Sequence, residues 1–172
     1  YGFSAGGGNG SENYGNVIQY VTISTTGNSS DFGDLISGGR YASGLSDATR
    51  GVIDIGQTSS GYGNTLEYIT TASAGNATDF GDATTSEGGR ATGSDDTRGV
   101  FSGGYDGTDR TNIIDYITIQ TTGNATDFGD TSQAFYGQGG CSNGTRMVMG
   151  GGNYNSGSLI YTKTMEFIVI QT

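Results

Sequence analysis

Gly-Asn-Ala-Thr-Asp-Phe-Gly-Asp at residues 123–130 repeats residues 75–82 without a change, and residues 27–34 read Gly-Asn-Ser-Ser-Asp-Phe-Gly-Asp. Each copy lies 48 residues after the one before. That period is too long for leucine-rich or tetratricopeptide repeats and suits one four-stranded unit per repeat. The spacing therefore speaks first about architecture.

Outward from the motif, the same period governs the rest of the chain. Upstream of each copy is a β-rich run: residues 16–25 (NVIQYVTIST), 64–73 (NTLEYITTAS) and 112–121 (NIIDYITIQT). Tyr20, Tyr68 and Tyr116 stand 48 apart, and a fourth run at 164–172 puts Phe167 at the tyrosine position after a three-residue insertion. With a period of two, one face carries Ile18, Leu66, Ile114 and the tyrosines. The other carries Val21, Ile69 and Ile117, with Ile23 and Ile119 in two copies. Both faces are partly apolar, so the run reads as a strand covered on both sides. Blades stacked face to face around an axis supply that cover. Short strands ending in glycine precede these runs at 1–8, 50–56, 98–104 and 146–152, with Arg50, Arg98 and Arg146 in fixed register. Looser strands follow the motif at 40–49, 90–97 and 134–145, which gives four short strands per unit joined by Gly/Asn/Ser turns.

Composition agrees with an all-β chain. There are 34 Gly, no Pro, no His, no Trp and 11 Tyr in 172 residues. Collagen is excluded by the missing proline and Gly-X-Y period, and disorder is disfavoured by the recurring apolar runs. The formal charge is −10 with seven scattered Lys and Arg, which excludes a nucleic-acid footprint and disfavours anionic membranes. No apolar stretch approaches the ~18 residues of a membrane helix. Cys141 is alone, so it forms no intrachain disulfide and is expected as a small core residue.

An apolar strand ending in Gly-Gly, then a strand with Glu67-Tyr68 or Asp115-Tyr116, then an aromatic before a turn (Phe32, Phe80, Phe128) resembles the kelch β-propeller repeat. The wording RGVF-GG, IDYITI and TGNATDFGD is similar to kelch-like repeats in virion proteins of tailed bacteriophages. Gly56-Gln57 departs from the pattern at one inner turn. The resemblance implies an all-β, kelch-like β-propeller whose ring is incomplete here, since the chain holds about 3.6 periods. It is read as one repeat domain over 1–172, part of a longer chain or completed by a neighbour. It further implies a non-enzymatic, tail- or appendage-associated virion scaffold, on the virion surface or extracellular, displaying loops to a host-surface glycan. The alternatives are a capsid-decorating or fibre-forming protein and a glycan-active propeller enzyme. Implied partners are other virion proteins or copies of the chain, with no nucleic acid and no membrane.

Catalytic signatures are scarce. Without histidine there is no Ser-His-Asp triad and no imidazole base, and no cofactor or metal is expected. Asp31/Asp34, Asp79/Asp82 and Asp127/Asp130 recur in every repeat, which suits turn capping and pairing with a repeat arginine. An enzyme would need non-repeated acids, with Glu12, Asp54 and Glu87 as candidates. Residues 6–10 and 103–107 resemble a glycine-rich calcium repeat but lack its nonapeptide period. Arg50, Arg98 and Arg146 are read as braces between repeats, with an anion-binding ring as the alternative. Asn28, Asn76, Asn124 and Asn143 begin glycosylation sequons. The variable loops at 9–15, 58–63, 105–111 and 153–158 carry Tyr14, Tyr62, Tyr105 and Tyr154 among Asn, Ser, Asp and Gly. That mixture is the chemistry of adaptable binding loops, so these tyrosines are the candidate ligand contacts.

Overall fold

A computed structural model describes residues 1–8, 14–154 and 160–171. The described chain is all-β and antiparallel throughout. The first sheet holds β1 (Gly2–Ala5), β2 (Val17–Val21) and β3 (Ser30–Asp34) in that order. The second is a complete unit: β4 (Ser43–Ser46), β5 (Arg50–Asp54), a small hairpin of β6 (Gln57–Thr58) and β7 (Gly61–Tyr62), then β8 (Thr65–Thr70) and β9 (Thr78–Asp82). Its order is β4-β5-β8-β9, with the hairpin as a separate two-stranded sheet. The third unit, β10 (Ala91–Ser94), β11 (Arg98–Tyr105), β12 (Arg110–Thr118) and β13 (Thr126–Phe135), repeats that order. The last has β14 (Gly139–Ser142), β15 (Arg146–Gly150), the hairpin β16 (Asn153–Tyr154) with β17 (Ile160–Tyr161), and β18 (Met165–Val169).

Equivalent registers recur: Phe3 faces Tyr20, Val52 faces Tyr68, Val100 faces Tyr116 and Val148 faces Phe167. Valine opposite an aromatic is a favourable cross-strand pair on a half-buried sheet. Three core layers form between successive sheets. Ile18 and Phe32 meet Ile53 and Ile69, then Leu66 and Phe80 meet Phe101 and Ile117, then Val100 and Ile114 meet Met147 and Ile170. Each fully buried Leu, Ile or Phe contributes about 1.5–3 kcal/mol.

The repeated octapeptide works as two halves joined across repeats. Gly123 and Ala125 donate backbone N–H bonds to the carbonyls of Phe80 and Asp82, both at 2.7 Å, and Asp82 donates to Asn124 Oδ1 at 3.1 Å. Gly75, Ala77 and Asn76 serve Phe32 and Asp34 in the same way. Gly81 permits this approach, because a Cβ there would sit 2.5 Å from the Gly123 carbonyl. A second device starts each second strand. Asp47, Asp95 and Asn143, again 48 apart, accept backbone N–H bonds two and three residues on, at Thr49/Arg50, Thr97/Arg98 and Thr145/Arg146. These Asx turns fix the strand entry in three repeats.

The expected kelch-like propeller is corrected by this arrangement. Among the described residues the six sheets are small and open, and none closes into a ring or barrel. Among the described residues the main packing of sheet on sheet joins sequence neighbours, with β10 between β4 and β14. The first sheet has three strands, and a cleft of about 440 Å³ lined by Phe3, Ile18, Leu45 and Ile53 lies beside the free edge of β1. Among the described residues the last sheet also has three strands, in the order β14-β15-β18. Cys141 is also corrected: it is exposed on β14, which has no buried residue.

Candidate functional site

The connections before β4, β10 and β14 begin at equivalent bridges, Arg40 to Gln57, Gly88 to Tyr105 and Tyr136 to Asn153. The next residue is left-handed in all three: Tyr41 (φ 59), Gly89 (φ 69) and Gly137 (φ 70). Gly89 donates its N–H to the Tyr41 carbonyl at 2.7 Å, and Gly137 to that of Gly89 at 3.0 Å. The three connections are thus stacked within hydrogen-bonding distance. Glycine occupies this conformation freely, whereas a tyrosine there costs of order 1–3 kcal/mol.

Stacking brings together tyrosines from distant parts of the chain. Ring centroids are 6.0 Å apart for Tyr41 and Tyr136, 5.5 Å for Tyr105 and Tyr136, and 5.6 Å for Tyr62 and Tyr105. The guanidinium of Arg40 lies over Tyr14 and Tyr41, at 5.1 and 5.4 Å, and that of Arg110 lies 5.8 Å from Tyr105. Both arginines are oriented from behind: Arg40 Nε donates to Gln57 Oε1 at 2.7 Å and Arg110 Nε to Asn153 Oδ1 at 2.6 Å. Gly88 forms part of the floor, where a Cβ would meet the Tyr62 ring at 3.2 Å. Tyr41 is exposed and the other four rings are half-buried.

Burial, helped by neighbouring hydroxyls, keeps the Tyr62 and Tyr136 phenols neutral. Burial, then the nearby Tyr136, Tyr41 and Tyr105 hydroxyls, push Tyr62 up to about 12, against the opposing pull of Arg40. Tyr136 is raised by burial first and then by Tyr41. A neutral phenol both donates and accepts hydrogen bonds. The surface therefore offers ring faces, hydroxyls and two cations.

Beneath lies a buried charge cluster. Arg90 Nη1 donates to Asp115 Oδ2 at 2.9 Å and Nη2 to Thr85 Oγ1 at 2.7 Å. Glu87 Oε2 is 3.3 Å from Nη2, and Asp54 Oδ2 is 3.7 Å from Nε. One guanidinium thus faces three carboxylates with almost no solvent contact. Burial, opposed chiefly by Arg90, raises Asp54 to about 6. Asp54 and Glu87, candidate acids in the sequence, do converge, on the buried guanidinium of Arg90. Glu12 lies outside the described residues, as do residues 9–10 of the calcium-like stretch. No group of three metal-ligating side chains occurs among the described residues.

Of the four candidate tyrosines, Tyr14, Tyr62 and Tyr105 belong to the aromatic surface, while Tyr154 stands on β16 opposite Ile160. Residues 155–158 of its loop are outside the described residues, as are 9–13 of the Tyr14 loop. Tyr41, Tyr136, Arg40 and Arg110 escaped sequence reasoning, although Tyr41 breaks a column that is glycine at 89 and 137. Arg50 and Arg98 stack on Tyr68 and Tyr116, at 4.3 and 4.4 Å, and donate to the Ile119 and Ile170 carbonyls of the next sheet. Arg146 lies over Phe167 at 5.1 Å. Phe32 and Phe80 are buried between sheets, and Phe128 is half-buried against the last one. Asn28, Asn76, Asn124 and Asn143 are exposed, with the Oδ1 of the last three held by backbone N–H groups. The motif aspartates make no ion pair with a repeat arginine among the described residues, and Asp127 caps its own turn at Gly129.

No protein-family model matches the chain, and no curated protein is similar to it. The virion reading is therefore corrected together with the propeller that implied it. Neither a closed ring nor a phage relative stands behind a tail scaffold, a capsid decoration or a glycan-active propeller.

Proposed function

We propose that the chain is a non-catalytic binding module whose tyrosine–arginine surface holds a saccharide. The observation that carries this reading is Tyr41, an exposed ring kept on left-handed backbone where the equivalent residues are glycine. Strain of that kind persists where the side chain is needed and the surroundings over-determine it. The exposed Tyr41 ring offers a face to sugar C–H groups. Neutral hydroxyls of Tyr62 and Tyr136 exchange hydrogen bonds with sugar hydroxyls, and Arg40 and Arg110 add donors. Tyr41 meets Tyr136 and Tyr62 meets Tyr105 edge to face, with Tyr105 tilted against Tyr136, so little ordering remains to be done on binding.

The test is a glycan array on the intact chain, followed by titration calorimetry of the best sugar against Tyr41→Gly. The substitution removes the exposed ring, relieves the backbone and forfeits one aromatic pair of about 0.5–1.5 kcal/mol, so folding stability changes little. Binding is expected to fall at least tenfold, about 1.4 kcal/mol. Full affinity in the glycine variant, or no glycan held by folded wild-type protein, overturns the reading.

A further inference from the structure

The tyrosine surface carries positive charge that the chain does not neutralise. Seventeen Asp and Glu accompany seven Lys and Arg, yet every ion pair among the described residues belongs to Arg90. Arg50 and Arg98 each donate a terminal guanidinium nitrogen to a backbone carbonyl of the next sheet. Arg40 and Arg110 do neither. Each donates Nε to a side-chain amide, Gln57 Oε1 at 2.7 Å and Asn153 Oδ1 at 2.6 Å, and their Nη1 and Nη2 hold no hydrogen bond among the described residues.

An amide acceptor fixes an arginine without cancelling its charge, as a carboxylate in the same place would. With Nε taken, the Nη1–Nη2 edge remains as a planar fork that can grip two oxygens of one anionic group. The two forks stand at either end of one row of rings. Arg40 lies 5.4 Å from Tyr41, Tyr41 meets Tyr136, Tyr136 meets Tyr105, and Arg110 lies 5.8 Å from Tyr105. The acids nearby are engaged elsewhere. Asp106, on the Tyr105 loop, accepts N–H bonds from Thr108 and Asp109, both at 2.7 Å, and Asp54 and Glu87 are buried around Arg90. Asp109, exposed and next to Arg110 in the chain, makes no ion pair with it.

Resting on the saccharide reading above, we propose that the ligand is an acidic saccharide, whose carboxylate or sulfate groups sit in the Arg40 and Arg110 forks while its rings lie along the tyrosines. The net charge of −10 opposes an anion at long range. That repulsion is screened beyond about 8 Å at ordinary ionic strength, whereas the forks act at contact. A hydrogen bond to a charged group favours binding by roughly tenfold to a hundredfold, so the acid group decides which saccharide is held.

Calorimetric titration of the intact chain with matched acid and neutral probes tests this: trigalacturonate against its methyl ester, sialyllactose against lactose, and a sulfated galactan oligomer against its desulfated form. At least one acid is expected to bind about tenfold tighter than its neutral partner or better, which also tells carboxylate from sulfate. That advantage should shrink as sodium chloride is raised. Arg40→Gln and Arg110→Gln, checked for folding by circular dichroism, should each remove most of it. Arg146→Gln, an equal change of charge at an exposed residue over Phe167, should leave it intact. Neutral partners held as tightly as every acid overturn the proposal and leave the saccharide reading standing. An acid preference untouched by both substitutions overturns it too, as does a wild type that holds none of these probes. Sodium acetate or sulfate displacing the acid mole for mole overturns both readings, since the anion alone then suffices.

Discussion

Asp54→Asn should flatten the pH dependence of stability. Asp54 is fully buried, and its folded-state value near 6 lies above the ordinary 3.8 because burial penalises the charge more than Arg90 relieves it. The folded protein therefore binds the proton more tightly than the unfolded chain does. Its stabilising effect is complete below about pH 3.8 and disappears as pH rises through about 6. The full effect is about 3 kcal/mol at 1.36 kcal/mol per pKa unit. Integrated over the titration, about 1.4 kcal/mol separates about pH 7.5 from about pH 5. Asparagine keeps an Oδ1 for the Gly56 N–H, which Asp54 accepts at 3.1 Å, and removes the titrating oxygen near Arg90. Urea unfolding at the two pH values measures both proteins. The wild type should gain stability on acidification by about that amount relative to the variant. Burial also raises Glu67, but it contributes equally to both chains, so the difference isolates Asp54. Parallel pH profiles, or a wild type that loses stability relative to the variant, would refute the protonated buried carboxyl.

Arg90→Met leaves Asp54, Glu87 and Asp115 buried without their cation, and should cost about 3–5 kcal/mol in urea unfolding at neutral pH. Part of that loss should be recovered on acidification, as the carboxylates take up protons. Gly81→Ala and Gly129→Ala place the same methyl on similar backbone, φ 138 and φ 139, but only the first meets a neighbouring repeat. Both should lose about 1–3 kcal/mol to backbone strain, and Gly81→Ala about 1–3 kcal/mol more from the clash with Gly123. Equal thermal shifts would show that the octapeptide halves do not hold the repeats together.

The parts of the fold that depend on one repeat and its neighbour were legible. Apolar residues on both sides of the Leu66 and Ile114 strands announced their double cover, and the 48-residue period announced the four-stranded order found in the second and third units. Closure was not legible, because it depends on how many sheets follow one another and at what angle, and no single repeat encodes either. The candidate site was half legible for a related reason. Tyr62 and Tyr105 lie in variable loops, where binding residues are commonly found. Their partners Tyr41 and Tyr136 lie on connections that look like scaffold until the connections are stacked. The arginines make the point most clearly. Gly-Gly-Arg occurs at 38–40 and again at 88–90, which is 50 residues apart rather than 48. The same tripeptide is therefore two residues out of phase. The equivalent of Arg40 is Gly88, so Arg40 reaches the tyrosine surface while Arg90 enters the buried carboxylate cluster. Tyr41 is out of place in the same sense, an aromatic in a glycine column. A strict repeat presents identical chemistry in every unit and cannot by itself define a unique site. The residues that slip register are the ones that make one unit differ from the next, and two of them, Arg40 and Tyr41, meet on the tyrosine surface.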